Sequence, residues 1–76
     1  MKQIRTIVTF PNTHAALAAE KFIADMGIEG RIIPVPTEIS AECGLALLLD
    51  PQVQDEFASK SQEAKLVYSQ IYRLEM

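Results

Sequence analysis

The chain has 76 residues, with 10 acidic and 7 basic side chains, one histidine, one cysteine and a net charge of -3. This length supports one domain, residues 1–76, and a hydrophobic content of 49% is enough for a core, which argues against disorder. A single cysteine excludes an intramolecular disulfide framework and a cysteine-rich zinc or iron–sulfur site within one chain, and the acidic balance argues against nucleic acid as a partner.

The first predicted element is a strand from Ile4 to Phe10, rich in β-branched residues, with Ile4, Thr6, Val8 and Phe10 on one face. Pro11 ends it, because proline cannot donate to a ladder. Asn12 and Thr13 are good caps for a helix over about His14 to Met26. Ala15, Ala16, Ala19, Phe22, Ile23 and Met26 recur at helical spacing and predict its core stripe. Gly27 is placed to end the helix in a left-handed cap.

Arg31 to Val35 reads as a short strand; Pro34 within it and Pro36 just after it make it an edge strand. Thr37 to Cys43 is polar and predicts a loop. Leu45 to Leu49 is an unbroken apolar run, suited to a central strand. Asp50-Pro51 is a helix start, a capping carboxylate followed by proline at the first helical position. Asp55 and Glu56 sit near the favourable end of that helix dipole. Val53, Phe57 and Ala64 give the helix a narrow apolar face. Val67 to Leu74 predicts the last strand, with Tyr68 and Tyr72 on one of its faces and packed between sheet and helices.

The order strand–helix–strand–strand–helix–strand is the α+β, ferredoxin-like βαββαβ pattern: a four-stranded antiparallel sheet with two helices on one face. The first and third strands are then central, and the second and fourth are edges. The apolar third segment and the proline-bearing second segment fit those places. The apolar run at Ile7 to Phe10 is too short for a signal-peptide core, and Leu45 to Leu49 is far too short for a membrane span. Cytoplasm is the simplest reading, and a reducing compartment would keep Cys43 a free thiol. No metal or cofactor and no membrane partner is expected.

The topology makes a spatial prediction about Cys43. The end of the first strand should lie beside the start of the third, so the Cys43 loop and the start of the first helix share one end of the sheet. Cys43 is then expected near Asn12, Thr13 and His14. Free amides at a helix N-terminus favour an anion, and the thiolate is the nucleophilic form of cysteine. An ordinary thiol, with a pKa of about 8.5, is only a few per cent ionised at neutral pH. His14 would assist ionisation by charge or hydrogen bonding, whereas nearby Glu38 and Glu42 would oppose it. Gly44 supplies backbone freedom and lets another chain approach the sulfur. Against this stands a plainer reading: free cysteine is often a small buried hydrophobe, and a histidine near a helix start is more often a surface residue than a base. The residues alone leave both readings open.

The stretch Ile32-Ile33-Pro34-Val35-Pro36-Thr37-Glu38-Ile39-Ser40-Ala41-Glu42-Cys43-Gly44-Leu45-Ala46-Leu47 resembles the hallmark of the small selenium/sulfur carrier-like proteins. The beginning, Phe10-Pro11-Asn12-Thr13-His14-Ala15-Ala16-Leu17 with Glu20, is similar too, as is Ile71-Tyr72-Arg73 near the end. The chain departs from the family pattern at Thr37, where a basic residue is common, and at Ala41 and Glu42, where serines are common. A positive charge and hydroxyl donors would help to hold an anionic chalcogen. The resemblance implies a carrier that holds sulfur or selenium as a persulfide or selenopersulfide on Cys43. Gly44, Ser40, Thr13 and His14 are supporting candidates. Its partners would be a cysteine desulfurase or other donor and an acceptor protein. A lone thiol suits this role, because no second cysteine can expel the cargo by forming a disulfide.

Two other readings stand beside it. One is a non-catalytic binding or regulatory module with a structural cysteine, since this fold serves many functions and its edge strands could pair with a second copy. The other is a thiol enzyme with Cys43 as nucleophile and His14 as base. It ranks last, because no orienting carboxylate is evident and so small a core leaves little room for a pocket.

Overall fold

The computed structural model describes residues 3–39 and 44–75. The elements run as β1 (Ile4–Thr9), α1 (Thr13–Met26), β2 (Gly30–Pro34), β3 (Leu45–Leu49), a 3-10 turn (Pro51–Val53), α2 (Gln54–Ala64) and β4 (Gln70–Glu75). The strands form one antiparallel sheet in the order β2-β3-β1-β4, the ferredoxin-like arrangement expected from the sequence. The apolar β3 is central, and Pro34 lies in an edge strand, one side of which needs no ladder bonds. No helix among the described residues is long and apolar enough to cross a membrane.

Both helices cover one face of the sheet. Val8 and Phe10 with Leu47 and Leu49 of β3 pack there against Ala16, Ala19 and Ile23 of α1 and Phe57 of α2. The strand period of two sends Ile7 and Ala46 to the opposite face, where both are fully buried. Gln54 ties α2 to two strands, its Oε1 accepting from the Thr6 hydroxyl at 2.9 Å and from Arg73 Nε at 2.8 Å. Where β2 meets β3 the backbones lie close. A Cβ on Gly30 would sit 2.6 Å from Leu49 Cδ2 and 2.9 Å from the Leu48 carbonyl oxygen, so only glycine fits without a shift.

Four details differ from the sequence expectation. Met26 is 46% exposed rather than core, because Gly27 reverses the chain there and Ile28 takes the buried place instead. The helix after Asp50 opens as a 3-10 turn, capped by Asp50 accepting from the Gln52 amide at 2.9 Å, before α2 proper begins. On α2, Ala64 is exposed while Ser61 is fully buried, its hydroxyl satisfied by the Ala58 carbonyl at 3.0 Å. Finally, β4 starts at Gln70, and Val67 is exposed. Tyr68 therefore precedes the strand and packs toward Phe57 on the helical side. Tyr72 packs with Ile7 on the other face, so the two tyrosines do not share one.

The two helices end alike. In each, a left-handed residue is followed by an amide bonding back to the last turn: Ile28 to Ile23 at 2.9 Å, and Leu66 to Ser61 at 2.9 Å. The left-handed residue is Gly27 at φ 72 after α1, but Lys65 at φ 57 after α2. Lys65→Gly should therefore raise stability by about 0.5 kcal/mol, and Gly27→Ala should lower it by about 1 kcal/mol. Urea midpoints moving in opposite directions would show this; a drop in both variants would contradict it.

Candidate functional site

The end of β1 and the start of β3 lie side by side, with Thr9 opposite Ala46. The end of β2 joins them: Pro34 pairs with Leu45, and the Val35 amide donates to the Gly44 carbonyl at 3.1 Å. Helix α1 begins at this end too. Asn12 caps it, Oδ1 accepting from the Ala15 amide at 2.8 Å. The topology thus brings Thr13, His14 and Gly44 to one end of the sheet, all three exposed. Cys43, with Ser40, Ala41 and Glu42, lies outside the described residues. In the sequence Cys43 directly precedes Gly44.

The His14 side chain has no hydrogen bond or ion pair among the described residues, so nothing there orients it as a base. It lines a mostly apolar hollow of about 360 Å³ between the start of α1 and the end of α2, with Ala15, Ala18, Lys65, Leu66 and Val67. Chain neighbours aside, a Cβ at Gly44 would meet nothing within 4 Å among the described residues. Glu38 is exposed, as a solvated loop charge should be, and accepts from the Thr37 hydroxyl at 3.0 Å.

The sequence reading missed Ile39. The Ile39 amide donates to the Pro36 carbonyl at 3.0 Å and closes a turn with Thr37 and Glu38 at its centre. That turn brings the Ile39 side chain, 8% exposed, against Ile7 and Ala46 on the sheet face opposite the helices. The segment leading to the cysteine is therefore anchored at Ile39 on one side and at Gly44 on the other. The signal available was one large aliphatic residue in an otherwise polar run. Ile39→Ala should cost about 2 kcal/mol, the low end for an aliphatic truncation because the site is peripheral. An unchanged denaturation midpoint would show that Ile39 anchors nothing.

Fold and site together define a small α+β domain whose single cysteine belongs to the connection between an edge strand and a central strand. A family model described as "Putative Se/S carrier protein-like" matches residues 5–73, which is nearly the whole chain. The chain belongs to this family. No curated protein and no solved structure matches it.

Proposed function

We propose that the protein carries sulfur or selenium as a persulfide or selenopersulfide on Cys43 and delivers it to an acceptor, without turnover of its own. The observation that carries this reading is the family match over residues 5–73, together with the lone cysteine of the chain. Loading would begin with the Cys43 thiolate attacking the terminal sulfur of a donor persulfide. A Cys43 S–S bond forms, the donor's S–S bond breaks, and the donor cysteine leaves as a thiolate that takes up a proton. Delivery repeats the exchange: an acceptor thiolate attacks the terminal sulfur, and the Cys43 thiolate leaves. The sulfane sulfur is passed on at each step with no net oxidation. The same balance holds for selenium.

The described geometry suits such a role in two respects. Gly44 adds no side chain beside the cysteine, and, chain neighbours aside, a Cβ there would meet nothing within 4 Å among the described residues. The anchors at Ile39 and Gly44 tie the cysteine segment to the sheet. A cytoplasmic location fits a thiol that must stay reduced.

Incubation of the reduced protein with a cysteine desulfurase and cysteine, or with a selenocysteine-cleaving enzyme and selenocysteine, tests the proposal. Intact mass without reductant should show one added sulfur or selenium atom, lost on adding reductant. His14→Ala should load equally. No adduct under conditions that load a known carrier would overturn the reading.

A further inference from the structure

Two backbone bonds fix the connection from β2 to β3. The Val35 amide donates to the Gly44 carbonyl at 3.1 Å, extending the strand pair by one step. The Ile39 amide donates to the Pro36 carbonyl at 3.0 Å and turns the chain back over the sheet. Thr37 and Glu38, at the centre of that turn, are exposed, while the Ile39 side chain is buried with Ile7 and Ala46. The other apolar side chains of this cluster come from strands or, for Val35, from the residue after one. Ile39 alone among them comes from within the connection. Without it, residues 36–43 would run between fixed points; with it, residues 40–43 do, half as many. Cys43 belongs to that shorter span.

The length of such a span sets what it costs to hold a residue within it. The entropy of closing a chain between two fixed points grows as about (3/2)R times the logarithm of its length, so halving the span is worth about threefold in an equilibrium or a rate. Exchange with a protein donor is sensitive to this freedom. The attacking sulfur must meet a sulfane sulfur held on a second folded surface, in line with the bond that breaks. Freedom that the chain has already given up is not lost again in that encounter. A small inorganic polysulfide makes no such demand, since it can meet the thiolate from any direction left open.

On the reading that Cys43 carries the chalcogen, we propose that Ile39 is a positioning residue for its transfer. Buried on the sheet face opposite the helices, Ile39 shortens the span that holds Cys43 and so speeds exchange with a protein partner. It acts on transfer only through that span, and its role beyond stability is to prepare the cysteine segment for a partner.

Rates of loading of the full chain, read by intact mass without reductant, test this with two sulfur sources. One is a cysteine desulfurase with cysteine. The other is inorganic polysulfide, from which the Cys43 thiolate takes one sulfur while the polysulfide leaves one sulfur shorter. Ile39→Ala should load about threefold more slowly from the desulfurase and at the wild-type rate from polysulfide. Ile39→Val, which keeps most of the buried side chain, should load from the desulfurase as the wild type does. Phe57→Leu, a truncation on the helical face with a comparable loss of stability, should match the wild type with both sources. Circular dichroism confirms that each variant is folded. A wild-type rate for Ile39→Ala with the desulfurase would overturn the proposal. So would equal slowing in Phe57→Leu, which would assign the effect to stability, or equal slowing with polysulfide, which would assign it to the thiol itself. A wild type that loads from polysulfide and not from the desulfurase would overturn the carrier reading, and this proposal with it.

Discussion

Phe57→Ala should remove about 3–5 kcal/mol of stability, the largest loss expected from a single core truncation in this chain. A domain of 76 residues has only about 4–11 kcal/mol in total, at roughly 0.05–0.15 kcal/mol per residue. The variant should therefore lose a large share of its stability. The reason lies in the make-up of α2. Phe57 is its one large apolar side chain, fully buried, in a helix whose other residues are polar or alanine. Its ring meets Phe22 of α1 edge-on at 6.3 Å and Tyr68 at 6.1 Å, arrangements that add to area burial. Truncation would detach α2 from α1 and from the segment before β4 together. Phe57→Leu keeps most of the volume and should cost about half as much. Denaturant unfolding followed by far-UV circular dichroism reads both variants. A loss below about 1 kcal/mol for Phe57→Ala would mean that α2 is held by something other than this ring.

The architecture was legible because each element carried its own local signal. Pro11, Gly27 and Asp50-Pro51 mark boundaries by backbone chemistry, and the run Leu45–Leu49 matches β3 residue for residue. The same logic failed where tertiary contacts decide. Alternation over Val67 to Leu74 placed both tyrosines on one face, but pairing with β1 starts only at Gln70, opposite Thr9. Periodicity placed Met26 in the core, but the reversal at Gly27 puts Ile28 there. Ile39 was hidden for a related reason: its burial depends on the far side of a sheet assembled from other segments. The sequence places the candidate residues Thr13, His14 and Gly44 at one end through topology alone, and the strand register bears this out.

Cys43→Ser should retain the fold and lose chalcogen loading completely. The chain has no second thiol to substitute for the first, and a serine hydroxyl, un-ionised at neutral pH, does not take a sulfane sulfur from a persulfide donor. Loss should therefore be total rather than graded. Variants at Thr13, His14 and Gly44 should leave the end point of loading intact. Cyanolysis of desulfurase-loaded protein, freed of donor by gel filtration, tests this account most directly. Cyanide attacks the terminal sulfur, leaves as thiocyanate and returns the Cys43 thiolate. The account predicts about one thiocyanate per chain, the single thiol allowing no more, and none from Cys43→Ser. Absence of thiocyanate from the wild type, or equal release from the serine variant, would contradict it.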